Sequence, residues 1–281
     1  MKKQKTVSIK AKLLGVIIPV VIAIVVVLVV AAYQISAGTI KKYSQNLLQS
    51  SVENQASQIE AWLNENLASF QMAKTIIEDL KPSDEELKTI LDGYYGYNSN
   101  YPEGLYVADS TGQLITASES TKKESDVTNS TWYKEGLTRV NMAVGSAYQN
   151  ADGVNVISAS GILNDGSDKV RVISADMTLD RIAIIVNSFI EMNDAEAFLV
   201  DKTSGVILAN RDSSLISQTL GAEGQSHFYQ LTAEKAAEKD YNFATLDGNM
   251  TVFQEVDGTN WLLISYIPTS IVLSDLTQLQ I

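Results

Sequence analysis

The side chains able to do covalent or metal chemistry are few. Cys is absent and His227 is the only histidine in 281 residues. That excludes disulfide frameworks, thiol nucleophiles and zinc centres built on Cys and His, and it leaves a serine triad only one possible base. His227 precedes Phe228 and Tyr229 at the expected start of a helix, where a packing or surface imidazole is the plainer reading. The segments 148–153 (YQNADG) and Asn164-Asp165-Gly166 gather Asn and Asp. Both lack the alternating acidic ligands and closing Glu of an EF-hand, so they read as turns. There is no Gly-rich phosphate loop. An anchored enzyme would need a nucleophile or acid/base pair with a partner, and none stands out. The expectation is a binding protein without cofactor or metal.

Charge placement narrows the class. The chain carries 21 basic and 33 acidic residues, a net charge of −12, which argues against a nucleic-acid partner. Lys2, Lys3, Lys5, Lys10 and Lys12 are the only charged residues before Lys41. Between them and the acidic body lies Leu13 to Ala32, an uncharged apolar run. At 1.5 Å per residue it spans the ~30 Å core of a bilayer as a helix. Lysines on one side only place 1–12 in the cytoplasm and the chain from about Tyr33 outside. A cleaved signal peptide is the competing reading, but the apolar run is long for one and Ile35-Ser36-Ala37 is a poor cleavage site. The expected location is therefore the cell membrane, with one crossing and an extracytoplasmic body.

The elements that must position any site follow from periodicity. Leu48, Val52, Ala56, Ile59, Leu63, Leu67, Phe70, Ala73 and Ile77 recur at three- and four-residue steps, one face of a helix over 33–80. Outside the membrane it measures about 70 Å at the helical rise. That apolar face exceeds what one small domain should cover, so a parallel homodimer along it is expected. After Pro82 the texture turns to short strands. Leu105–Asp109 and Gln113–Thr116 flank Ser110-Thr111-Gly112 as a hairpin, and Ala197–Asp201 with Val206–Ala209 repeats it 92 residues later, Asp109 matching Asp201. Ile173 and Ile264 then stand at nearly equal distances beyond those aspartates. The pattern predicts a duplicated α+β unit of antiparallel sheets with helices to one side.

Taken together, the anchor, the long helix, the two repeated units and Trp132-Tyr133-Lys134 resemble the double Cache sensor domain, the extracellular ligand-binding module of bacterial methyl-accepting chemotaxis proteins and of some histidine kinases and diguanylate cyclases. The strand Val156-Ile157-Ser158-Ala159-Ser160 and the stretch Ser174-Ala175-Asp176-Met177 before Leu179 are further marks. The resemblance implies an α+β fold with two tandem PAS-like units. It divides the chain into a basic segment 1–12, a membrane helix 13–32, a signalling helix 33–80, a membrane-distal ligand-binding unit 81–190 and a membrane-proximal unit 191–270. Residues 271–281 would begin the exit toward a second membrane helix and an output domain.

The resemblance also implies where a ligand sits. Amino-acid-binding members carry an Arg two residues before the Trp, to pair a carboxylate, where this chain has Ser130. They carry an Asp two residues after the Tyr, where this chain has Asn150; Asp176 is retained. Trp132, Tyr133, Tyr148 and Asp176 remain as aromatic faces plus one carboxylate, a set that stabilises an ammonium through cation–π contact and one ion pair. An amine or other small polar ligand is therefore favoured over standard α-amino acids, which would need a cation elsewhere, for example Arg139 or Arg171. Two plainer roles stay open: Trp132 and Tyr133 as core aromatics, and Asp176 as the cap of a helix near Leu179.

Overall fold

The structure, a computed structural model, describes residues 9–188, 192 and 194–274. The boundary expected near 190 and the exit segment beyond 274 lie outside those residues.

Helix α1 (Ile9–Leu80) runs unbroken for 72 residues, with Pro19 inside it. From Leu13 to Val30 every large apolar side chain is 47–65% exposed, and the mean hydropathy of this stretch reaches 3.5. Nothing among the described residues covers it, which is what a lipid-facing helix requires. Further along, Leu48, Val52, Ala56, Ile59, Leu63, Phe70, Ala73 and Ile77 are at most 2% exposed. The stripe that looked surplus on this part of the helix is covered, while Met72, Ile76 and Leu80 lie off it and stay exposed. Two sheets close on the same stripe and join it in one continuous core, because the units share a single helix.

The first sheet comprises β1 (Leu105–Asp109), β2 (Leu114–Ile115), β3 (Ala143–Gln149), β4 (Asn155–Leu163) and β5 (Arg171–Thr178). It is antiparallel in the order β2-β1-β5-β4-β3. Before it, α2 (Asp84–Asp92) starts with a capping box between Ser83 and Glu86. A loop, a 3-10 turn (Val127–Asn129) and α3 (Thr131–Gly136) connect β2 to β3, and α4 (Asp180–Val186) leads onward. The second unit has β6 (Glu196–Asp201), β7 (Ile207–Asn210), α5 (His227–Ala237), β8 (Ala244–Leu246), β9 (Asn249–Val256) and β10 (Trp261–Pro268), then α6 (Thr269–Val272). Its order, β7-β6-β10-β9-β8, repeats the first. The fold is α+β, a long helix followed by two five-stranded antiparallel sheets.

Ladder register corrects one detail of the repeat. Val107 pairs with Ile173 and Leu199 with Leu263, so the counterpart of Ile173 is Leu263 and not Ile264. A one-residue slip reverses the face of every side chain. Ile173 and Leu263 both point into the shared core, whereas Ile264 points to the opposite face of its sheet. The equivalence of Asp109 and Asp201 is physical. Asp109 Oδ1 accepts from the Thr111 and Gln113 amides at 2.8 and 3.1 Å, and Asp201 Oδ1 accepts from the Thr203 and Ser204 amides, both at 2.9 Å. Each carboxylate closes its own hairpin turn.

Asp109 also gives a test of stability. Burial pushes its carboxyl up, but the Lys169 ammonium at 2.8 Å, the Thr111 hydroxyl and the two amides outweigh burial and hold the pKa at about 2. A pKa below the ordinary carboxylate value means stabilisation that is complete above that value and lost as pH falls through about 2. Asp109→Asn should therefore cost about 2 kcal/mol at pH 7. The gap from wild type should narrow steadily below about pH 4 in urea unfolding; a gap that ignores pH would show the turn is held by something else.

Candidate functional site

The outer face of the first sheet, turned away from α1, carries the polar residues. Alternation along each strand sends Leu105, Val107, Ile157, Ile173 and Ala175 inward to the shared core. It sends Tyr106, Ser158, Ser174 and Asp176 outward. Ser158 and Asp176 are direct ladder partners on β4 and β5, and Tyr106 on β1 lies beside them.

Three hydroxyls converge on one carboxylate oxygen. Asp176 Oδ1 accepts from Tyr106 Oη at 2.5 Å, Ser158 Oγ at 2.6 Å and Tyr148 Oη at 2.9 Å. Burial foremost, then the Asp176 charge, push both tyrosine pKa values far up. Tyr106 and Tyr148 are therefore donors at every physiological pH. The fourth group is a cation: Lys122 Nζ lies 2.7 Å from Asp176 Oδ2, with 8% and 9% of the two side chains exposed. Its ammonium stands 4.2 Å from the centre of the Tyr106 ring and 5.9 Å from that of Trp132. Pairing offsets the desolvation that either charge would suffer alone. Asp176 does not cap α4, whose start at Leu179 has no side-chain cap.

Helix α3 supplies the aromatic wall. Trp132 is fully buried, edge-on to Tyr106 at 4.8 Å, and its Nε1 donates to Glu124 Oε2 at 2.8 Å. Tyr133 packs edge-on behind Trp132 at 5.8 Å, in the small cluster with Ala108, Val127 and Val172. Burial, and after it the Asp109 charge, raise its pKa. α3 lies this close to the sheet because of Gly136: a Cβ there would come within 2.3 Å of Val172 Cγ1. Gly136→Ala should lift α3 from β5 and cost about 1–3 kcal/mol by overpacking. The near-ultraviolet signal of Trp132 should change with it; an unchanged melting temperature and spectrum would show that the contact relaxes freely.

An open cleft of about 700 Å³ reaches this cluster from solvent, bordered by Lys122, Lys123, Glu124, Ser130, Tyr148 and Asn150 among others. The expected residues divide accordingly. Trp132, Tyr148 and Asp176 come together. Ser130 and Asn150 border the cleft, but Ser130 Oγ donates to Val127 O at 2.6 Å, and Asn150 Oδ1 accepts from the Asp152 and Val154 amides at 3.1 and 2.9 Å. Tyr133 supports Trp132 from the core. The other cations considered are engaged elsewhere: Arg139 with the Ala143 carbonyl and Glu135, Arg171 with Asp165 and Asp84 at the opposite end of β5. His227 is an exposed side chain 3.6 Å from Asp247.

Sequence reasoning missed Tyr106, Ser158, Lys122 and Glu124. Strand alternation could have found two of them, since Tyr106 and Ser158 are polar positions inside otherwise apolar strands. For Lys122 and Glu124 no local signal existed.

The Cache domain family model matches residues 32–276. The chain belongs to the Cache domain family. Solved structures of the same fold include the ligand-binding domain of Mlp24 with asparagine, at TM-score 0.68 and 17% identity, covering 86% of this chain and 98% of that one. The ligand-binding domain of Pseudomonas fluorescens chemoreceptor CtaA in complex with L-isoleucine gives 0.67 and 20%, covering 85% and 98%. That of the Pseudomonas aeruginosa PAO1 amino acid chemoreceptor PctC with GABA gives 0.61 and 19%, covering 80% and 99%. At these identities the likeness is one of fold. A comparison with curated proteins finds no significant match. The two sheets share one strand order, and the Asp176 cluster lies on the first of them.

Proposed function

We propose that this Cache chain is the extracytoplasmic ligand-sensing part of a transmembrane chemoreceptor, and that its first unit binds a small molecule through an ammonium group. One observation carries the ligand class. The outer face of the first sheet already stabilises an ammonium, that of Lys122, with the carboxylate of Asp176 and the rings of Tyr106 and Trp132. Asparagine, L-isoleucine and GABA, the ligands in those similar structures, each carry an amino group. An amine or other small polar cation is the ligand this kit favours.

The topology supports a membrane-distal site. The second sheet meets α1 near Glu60, which accepts from the Asp257 amide at 2.8 Å. The first meets it further on, at Gln71 and Glu78, which accept from the Met142 and Asn164 amides. The ligand unit thus stands about 60 Å along the helix from the apolar stretch ending at Ala32. Ligand occupancy would change how the first sheet packs on α1, and a stiff helix carries that change toward the membrane. Only a difference in affinity between two receptor states is required.

A thermal-shift screen of the chain tests the ligand class. Ammonium-bearing compounds should raise the melting temperature by mass action, neutral polar compounds should not, and Asp176→Asn should weaken the effect at least about tenfold, one ion pair at ~1.4 kcal/mol or more. Stabilisation only by compounds lacking a cation would overturn the assignment.

The receptor is proposed to act as a parallel dimer. The sheets leave Ile35, Tyr43, Met72, Ile76 and Leu80 of α1 uncovered, in addition to the apolar stretch. In lipid nanodiscs, cysteines placed singly at Ile35 or Tyr43 should cross-link between copies; sedimentation as a strict monomer would refute dimerisation.

A further inference from the structure

Every feature that would recognise a ligand's ammonium is already in use by the chain. Three hydroxyls take Asp176 Oδ1. The remaining oxygen, Oδ2, holds Lys122 Nζ at 2.7 Å, and the same ammonium sits over the Tyr106 ring at 4.2 Å. A second cation cannot share this seat, because like charges in a nearly dry site repel strongly.

We propose that Lys122 is a tethered surrogate ligand and the specificity-determining residue of the site: a ligand enters by displacing the lysine's ammonium with its own. This rests on the reading of the Asp176 cluster as the ligand's cation seat. The backbone makes displacement feasible. Lys122 belongs to the strap between β2 and the 3-10 turn at Val127, which has no regular secondary structure. The strap is held at its base by carboxylates of the body. Asp92 accepts from the Ser118 amide at 2.5 Å, and Glu103 accepts from Ser120 Oγ and the Thr121 amide at 2.5 and 3.1 Å. Beyond Lys122 it is held again by Glu124 on Trp132. Losing the Lys122 anchor therefore frees the middle of the strap while its ends stay attached. Ligand binding is converted into a local movement at the mouth of the cleft, and the released ammonium is left free for any anionic part of the ligand.

The tether sets the selectivity. A group attached through a short flexible segment competes at an effective concentration on the order of millimolar. A ligand meeting a mostly latched site sees its affinity reduced by the unlatched fraction. A simple monoamine offers only what Lys122 already offers. A ligand with further contacts to the cleft wins.

The probe is n-butylammonium, which is the lysine side chain cut from its backbone. With the full chain in lipid nanodiscs and titration calorimetry, Lys122→Ala should bind it at least about tenfold more tightly than wild type. The double variant Lys122→Ala/Asp176→Asn should lose that gain. Equal affinity in wild type and Lys122→Ala would overturn the latch and leave the cation seat standing. Binding to neither would overturn both the latch and the seat. Lys122→Met, which keeps the length and removes the charge, serves if the alanine variant does not fold. A ligand-free readout is acylation of lysines by a water-soluble active ester, followed by mass spectrometry. Lys122 should label at least about tenfold more slowly than its exposed neighbour Lys123 in wild type, and Asp176→Asn should remove most of that protection. Equal labelling of Lys122 and Lys123 in wild type would refute the latch outright.

Discussion

The apolar stripe of α1 from Leu48 to Ile77 is the surface on which everything else closes. Each sheet is apolar on its inner face and lays it on α1, with α2, α4 and α6 covering only its margins. Each fully buried Leu, Ile, Val or Phe contributes about 1.5–3 kcal/mol. Neither sheet could therefore hold its inner face out of water without the helix. One consequence is mechanical. The two units are not beads on a flexible linker but two sheets laid along about 45 Å of one helix, and that helix continues into the apolar stretch. A change in the packing of the first sheet acts on the same rod that carries the second.

Sharing the inner faces leaves the outer faces free to diverge, and they have. In ladder terms, Phe198 stands where the first unit has Tyr106, and Tyr266 where it has Asp176. The second unit fills that face with Phe198 and Tyr266 packed ring to ring against Phe228 and Tyr229 of α5, and Phe253 joins the same cluster. The half-buried Tyr266 donates its hydroxyl to Glu196 at 2.7 Å, and burial first, then that bond, raise the tyrosine's pKa. The same architecture thus gives a sealed apolar face in one unit and a polar seat with an open cleft in the other. The choice rests on whether a carboxylate or a ring stands at one position of the last strand.

The first unit accepts an unusual burden in return. A carboxylate and an ammonium are both nearly buried, which is weak evidence for stability, since desolvation can exceed the attraction. Three hydroxyls on Oδ1 and two aromatic faces on the ammonium reduce that cost, and they are the groups a binding site would need. Gly136 and the α3 segment serve the same end, bringing Trp132 onto the sheet closely enough to form a wall.

How much of this was legible in the sequence depends on the range of the interaction. Periodicity of 3.6 along 48–77 and alternation in Leu105–Asp109 or Val156–Ser160 are local, so the long helix, the hairpins and the duplication could be read directly. So could the twin turn aspartates, whose hydrogen bonds reach only two to four residues. Trp132, Tyr148 and Asp176 were reachable through resemblance, and the fold does bring them together. Two things required the tertiary structure. The apolar face of α1 looked surplus because a sequence shows how much a helix offers, not that two sheets will share it. Lys122 was invisible because its partner lies 54 residues away on a strand it does not neighbour. The pairing is made by strand order and by a strap with no pattern of its own, so only the folded chain could show that the cation for this site is one the protein already carries.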